Sequence, residues 1–192
     1  MRVISGLARG KNLLSPTNEN IRPTSEKVKE AVFSSIQFDL PDAVVLDLFA
    51  GSGQLGIEAL SRGAKFAYFT ECDRGNFEII KKNISACSFG DKSKIFNTDA
   101  RLFVKKNEQK FDIIFLDPPY GFGLIPEILP YLPPLLKDGG KIVCEHEGLD
   151  FGNEVLDFSG LSSANSEQDL QENLKVFKEH KYGKVYITYL VK

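Results

Sequence analysis

The stretch "VVLDLFAGSGQLG", residues 44–56, decides how this chain is read. An apolar run from Val44 to Phe49 leads into glycines at 51, 53 and 56. That Gly-x-Gly-x-x-Gly spacing marks a strand, a sharp turn and a helix whose start faces a ligand. Glycine lets the backbone turn tightly and come close to what it binds. The apolar run also contains an acid, Asp47, four residues before the first glycine. In a dinucleotide site the helix start faces a pyrophosphate, a dianion. A carboxylate beside it would be repelled by roughly a few kcal/mol at the dielectric of a cleft.

Asp47 is therefore awkward for NAD and useful for a cationic nucleotide. S-adenosylmethionine carries a sulfonium, an α-ammonium group and no phosphate, so an acid at the end of the first strand can hold its ammonium directly or through water. Outward from this loop the chain alternates strand-like and helix-like runs. The strands are "AVVLDLF" (43–49), "KFAYFT" (65–70), "KIFN" (94–97), "FDIIFL" (111–116) and "GKIVCEH" (140–146). Helices are expected near 54–62, 74–86, 99–106 and 124–136, which implies an α/β fold, a parallel sheet covered on both faces. The end, "NLKVFKEH", "KYG", "KVYITYLVK", reads as a β-hairpin, and residues 150–170 are polar with weak patterning.

Two further acids follow strands. Glu71, in "FTECDR", stands 20 residues after Gly51, where a carboxylate can bind both ribose hydroxyls. Its neighbour Asp73 reads as a solvated or capping acid. Asp99, in "NTDAR", is either an acceptor for an adenine amino group or a helix N-cap. The fourth strand ends in "FLDPPY", residues 115–120. Two prolines fix the backbone and remove two N–H donors. Asp117 and the Pro118 carbonyl then form a rigid, acceptor-only pair at the carboxyl end of a central strand, and Tyr120 adds an aromatic face. Such a site suits an exocyclic amine on a flat ring. Two acceptors on its hydrogens draw the nitrogen toward sp3 geometry and aim its lone pair, and Asp117 can take the departing proton.

Composition narrows the class. At 192 residues, 42% hydrophobic and 26% charged, the chain reads as one domain with its own core. No apolar run reaches the roughly 18 residues of a membrane span, and the start lacks the apolar core of a signal peptide. Cys72, Cys87 and Cys144 read as buried thiols of a reducing compartment, and two histidines leave few ligands for a metal. A cytoplasmic location follows as the expectation. Net charge is −2, unevenly spread. Residues 1–37 hold six basic groups (Arg2, Arg9, Lys11, Arg22, Lys27, Lys29) and three acids (Glu19, Glu26, Glu30), a net of +3, which leaves −5 elsewhere. A basic arm on an acidic body hints at a polyanionic partner. Within the arm, "RVIS" and "GKNLL" read as short strands around "GLARG". Thr24 can cap a helix to about Gln37, with Val28, Ala31, Val32 and Ile36 on its apolar face.

The motifs "LDLFAGSGQLGIEALSRGA", "ECDR" and "DPPY" resemble class I S-adenosylmethionine-dependent methyltransferases that act on amines. More narrowly, "RVISGLARGKNL", "IRPTSEKVKEAVFSSI" and "LFAGSGQLGIEALSRGA" resemble the bacterial 16S rRNA guanine-N2 methyltransferases, the RsmD-like group, over most of residues 1–146. The resemblance implies a Rossmann-like sheet of seven strands, mostly parallel, the last antiparallel. A basic extension (1–41) would precede the catalytic core (42–192). It implies methyl transfer to N2 of one guanine in a small-subunit rRNA loop. An acid-rich domain with a small basic arm should bind naked RNA weakly, so a partly assembled subunit is the expected substrate; no metal is expected, and a monomer is. By matched position Asp47, Gly51, Gly53, Glu71, Asp99 and Ala100 would hold the cofactor, and Asp117, Pro118 and Tyr120 the base. Arg2, Arg9, Lys11 and Arg22 are candidates for RNA phosphates, while Arg22 and Thr24 alternatively close over the cofactor's methionine end. Four other readings compete, one of them a non-catalytic RNA-binding module, which explains the basic arm and nothing else. A DNA adenine-N6 methyltransferase shares Asp-Pro-Pro-Tyr but usually carries a target-recognition domain, and a protein glutamine methyltransferase favours Asn at 117. An NAD oxidoreductase leaves Asp47 and Asp117 without work.

Overall fold

The computed structural model describes residues 1–16, 26–149, 151 and 173–192. Its centre is a seven-stranded sheet: β1 (Val44–Asp47), β2 (Phe66–Glu71), β3 (Ser93–Asn97), β4 (Phe111–Leu116), β5 (Leu136–His146), β6 (Lys175–Tyr182) and β7 (Val185–Val191), in the order β3-β2-β1-β4-β5-β7-β6. Strands β1 to β5 pair in parallel and β7 runs antiparallel to both of its neighbours. The expected α/β fold with a reversed last strand is what the chain adopts. The strand order changes direction between β1 and β4, and in open sheets of this kind ligands bind beyond the strand ends at that point.

The pleat sorts the core. Val45, Ile113 and Phe115 face one layer, while Leu46, Ile114 and Leu116 face the other. The first layer is closed by α1 (Glu26–Ser35), α2 (Gln54–Ser61) and α3 (Arg74–Ala86), the second by α4 (Ala100–Lys106) and α5 (Leu124–Ile128). Each fully buried Leu, Ile or Phe in these layers contributes about 1.5–3 kcal/mol.

Three local expectations need correction. The helix foreseen over 124–136 stops at Ile128 and continues as single 3-10 turns at Leu129–Tyr131 and Pro133–Leu135. Pro130, Pro133 and Pro134 withhold the donors that an α-helix requires there. The face of α1 that packs inward is Lys29, Val32, Phe33 and, just past the helix end, Ile36, while Val28 and Ala31 are only half-buried. The Thr24 cap lies outside the described residues, as do Arg22, most of 150–170 and the segment around them. Finally, the N-terminal strands reduce to one antiparallel bridge, Arg2 to Asn12.

The arm is anchored by Glu58, fully buried on α2. Its carboxylate accepts from the backbone N–H of Ile4 (2.8 Å) and Ser5 (3.0 Å) and from Arg62 Nε (2.8 Å), with Lys29 Nζ at 3.3 Å. Lys29 also donates to the Arg2 carbonyl at 2.7 Å. The two segments of the arm bond each other through Val3, Gly10, Lys11, Leu13 and Met1, and the Glu58 and Lys29 bonds tie this pair to the helix layer. Burial pulls the Lys29 pKa down, and the Glu58 carboxylate opposes that shift. Removing one partner from such a buried pair typically costs about 3–5 kcal/mol.

Candidate active site

Beyond the carboxyl ends of β1, β2 and β4 lies a cleft of about 580 Å³. Its lining includes Asp47, Gly51, Glu71, Asp99, Ala100, Asp117, Pro118 and Tyr120. Eight of the nine residues expected to hold cofactor or base therefore meet in one place. Gly53 does not line it. It starts α2 at φ 78°, and a Cβ there would stand 3.3 Å from the Ile80 side chain. Gly56 acts by contact too: a Cβ would come within 2.3 Å of the Phe69 ring, so α2 reaches β2 only over a glycine.

Asp47 is 2% exposed, and its Oδ2 accepts the Gly56 N–H at 3.0 Å. Burial raises its pKa to about 7; the Gly56 bond opposes this and the nearby Glu71 charge adds to it. Glu71 is held by two loops at once. Oε2 accepts from Gly51 N–H at 2.9 Å and Oε1 from Asp73 N–H at 2.8 Å, and burial raises this carboxyl as well. Each oxygen keeps a second lone pair for a ligand hydroxyl. Two acids in one partly dry cleft repel each other, and a bound cation relieves that repulsion.

Asp73 caps α3 through the Asn76 N–H at 2.8 Å. Asp99 caps α4 through the Arg101 N–H at 2.8 Å and also takes the Arg101 guanidinium on both oxygens, at 2.9 and 2.6 Å. That partnership holds its carboxyl below the usual range. Of the two readings open for Asp99, the cap is the one the hydrogen bonds display. Among the described residues lining the cleft, Arg101 is the one Lys or Arg, and it is shared between Asp99 and Glu127 (3.6 Å).

On the β4 side, Tyr120 donates its hydroxyl to Glu145 Oε1 at 2.7 Å. Glu145 is 8% exposed near the end of β5, and it fixes the ring beside Asp117. Burial first, then the Glu145 charge, keeps the phenol protonated well above its ordinary pKa. Sequence reasoning missed Glu145, although an acid inside the apolar run "KIVCEH" repeats the signal that singled out Asp47. It also missed Phe122, 73% exposed at the cleft between two glycines of positive φ, Gly121 and Gly123. Met1, Ser15 and Pro16 line the cleft too, with the Ser52 hydroxyl 3.2 Å from the Met1 sulfur.

One expectation is not met. Cys72, read as buried, is exposed in the loop after β2, where it joins the cleft rim; Cys87 and Cys144 are buried. Of the described basic residues of the arm, Arg2, Arg9 and Lys11 do not line the cleft. Arg2 is paired with Glu26 at 3.2 Å. Arg9 and Lys11 are exposed around a turn whose backbone packs on Ser61, the last residue of α2. That is about 12 Å of helix away from the cleft end.

The family model described as "Conserved hypothetical protein 95" matches residues 1–191. The chain is 38% identical over 152 residues to the "Putative rRNA methyltransferase YlbH" of Bacillus subtilis, covering 77% of this chain and 83% of that protein. It is 37% identical over 145 residues to the "Ribosomal RNA small subunit methyltransferase D" of Escherichia coli, covering 76% and 71%. Among solved structures, the "Putative methyltransferase yhhF from Escherichia coli" superimposes with a TM-score of 0.80 at 31% identity, over 99% of this chain and 96% of that one. The chain belongs to the Conserved hypothetical protein 95 family, the RsmD-like methyltransferases whose motifs its sequence carries.

Proposed function

We propose that this chain methylates the exocyclic N2 amine of a guanine in 16S rRNA, using S-adenosylmethionine. The observation that carries this reading is the pairing, in one cleft, of the buried Asp47 and the half-buried Glu71 with the Asp117–Tyr120 acceptor loop. The donor set fits the cosubstrate: two carboxylates for ammonium and ribose, and one basic side chain already shared by two acids. Bound there, S-adenosylmethionine supplies a methyl group on a positively charged sulfur, already activated for transfer. The names of the B. subtilis and E. coli relatives, both rRNA methyltransferases, support RNA as the acceptor.

The residues of this chain then have separate tasks. Asp117 and the Pro118 carbonyl accept the two N2 hydrogens and turn the nitrogen lone pair out of conjugation. The Tyr120 ring stacks on the base, worth about 1–3 kcal/mol. Alignment and fixed acceptors supply most of the rate. Asp117 takes the proton that the methylated amine releases. A base inside a helix cannot reach the cleft, so the target is a splayed loop nucleotide or a flipped one. An acidic body binds naked RNA weakly, which favours a partly assembled small subunit as substrate. One cytoplasmic monomeric domain would suffice.

The test is transfer of tritiated methyl to rRNA, to small subunits and to DNA, followed by nucleoside mapping. N2-methylguanosine in 16S rRNA is the expected product, with subunits preferred over naked RNA. Label confined to DNA adenine would replace this reading with adenine-N6 transfer. Equal labelling of naked rRNA and subunits would remove the preference for an assembled substrate.

A further inference from the structure

The last twenty residues described, 173–192, hold five lysines and one acid, Glu179, a net of +4 on a chain whose total is −2. They form β6 and β7, and the register shows where their charge goes. Residues His146, Tyr186 and Lys181 lie on one row across β5, β7 and β6. That row is two residues beyond the Leu116–Cys144 pair, hence level with the start of the Asp117–Tyr120 loop. The hairpin tip, Gly183 and Lys184, therefore projects at the cleft end of the sheet, two to three strand spacings from β4, about 10–14 Å.

The tip is also braced. Lys181 Nζ sits 4.9 Å over the Tyr186 ring, and that ring stacks on His146 at 5.5 Å and 16°. His146 Nδ1 accepts the Leu149 N–H at 2.9 Å, so in the neutral ring Nε2 carries the proton and donates to the Thr188 hydroxyl at 2.8 Å. Thr188 donates onward to Glu179 at 2.6 Å, which engages the one acid of the hairpin. Lys181 and Lys184 are exposed, and among the described residues neither is in an ion pair.

We propose that the β6–β7 hairpin tip, through Lys181 and Lys184, grips RNA backbone phosphates next to the target nucleotide. This rests on the RNA reading above. A base drawn out to meet Asp117 leaves its flanking phosphates at the rim, where an otherwise acidic body repels them. The Arg9 and Lys11 turn lies at the opposite end of the sheet and does not serve that rim. Lysines within an edge strand guard against pairing with another chain; Lys184, in the turn, has no ladder to guard.

The experiment compares Lys181→Ala/Lys184→Ala with Lys92→Ala/Lys94→Ala, which removes equal charge at the opposite edge of the sheet. For the tip variant the KM for RNA or subunits should rise by on the order of tenfold. Its slope of log affinity against log salt should fall by about two, one per lysine. Turnover at saturating RNA and affinity for S-adenosylhomocysteine should stay at wild-type values, and the β3-edge variant should match wild type throughout. Equal effects of the two variants, or a tip variant indistinguishable from a wild type that binds and methylates RNA, overturns the inference alone. A wild type that binds no RNA overturns the functional reading as well.

Discussion

The two sides of the cleft are held in place by different means. On the β1–β2 side, backbone N–H groups tie both acids: Gly56, in the first turn of α2, holds Asp47, and Gly51 and Asp73, in the adjoining loops, hold Glu71. On the β4–β5 side, the acceptor loop relies on two prolines and on a side-chain bond from Tyr120 to Glu145, spanning 25 residues of sequence. The first side is a property of one local loop and its glycines. The second is assembled by tertiary packing, with open space around its own glycines, Gly121 and Gly123. One side is built to hold a ligand in a fixed pose, and the other to admit and align a larger one.

The sharpest break between the sides is a pair of alanine variants. If Asp117 has the roles proposed above, Asp117→Ala should lower kcat by on the order of 10³-fold. Its affinity for S-adenosylhomocysteine, measured by calorimetry, should stay within about twofold. Asp47→Ala should do the reverse and weaken the nucleotide first. Near-normal turnover by Asp117→Ala would end the amine-positioning account.

Glycine variants probe packing rather than chemistry. Gly56→Ala places a methyl group 2.3 Å from the ring of Phe69, which is itself fully buried. The ring has nowhere to go, so thermal or denaturant unfolding should show a loss of about 1–3 kcal/mol despite the gain in helix propensity. Gly121→Ala meets nothing within 4 Å and sits at φ +83°, so its cost is backbone strain alone, about 1–2 kcal/mol. A neutral Gly56→Ala would mean that α2 does not approach β2 this closely.

A third comparison uses pH. Asp47 has its pKa raised from 3.8 to about 7, and Glu71 is raised too. An acid raised in the folded state makes its contribution to stability below the unfolded value and loses it as pH rises toward 7. A cationic ligand prefers the ionised pair, so its affinity should run the other way. It should fall as pH drops below 7, approaching tenfold per unit for one coupled proton. The melting shift caused by S-adenosylmethionine should thus grow from pH 6 to pH 8, and Asp47→Asn should flatten the trend. A shift equal at both pH values would show that Asp47 does not face the ligand's charge.

Legibility in the sequence depended on whether a feature is local, as "DPPY" is on the β4 side too. Asp47, the glycines and Glu71 could be read because each is defined by spacing within one strand-turn-helix unit. The parallel strands could be read because a sheet buried on both faces leaves continuous apolar runs such as Phe111–Leu116. Glu145 could not be given a role, since nothing local to it names Tyr120 as its partner. The Lys29–Glu58 pair escaped for the same reason: Lys29 looks like an ordinary surface charge until α1 is laid on α2. The Asp99 choice stayed open because a cap and a ligand acceptor want the same residue at the same helix start.

The smallest effect tests the tertiary bond that defines the second side. Tyr120→Phe keeps the stacking ring and deletes the hydroxyl, leaving Glu145 short of one donor in a mostly buried position. Net hydrogen-bond energies to a charged group are about 1.5–3 kcal/mol, and part of this loss should appear as ring mobility rather than as unfolding. The expected result is a drop in kcat of roughly three- to tenfold, with nucleotide affinity unchanged and RNA affinity almost so. Glu145→Gln, which can still accept from Tyr120, should keep most of the wild-type rate, whereas Glu145→Ala should lose it to the same extent as Tyr120→Phe. If all three variants turn over like wild type, the prolines alone position the base, and both sides of the cleft are then fixed by backbone after all.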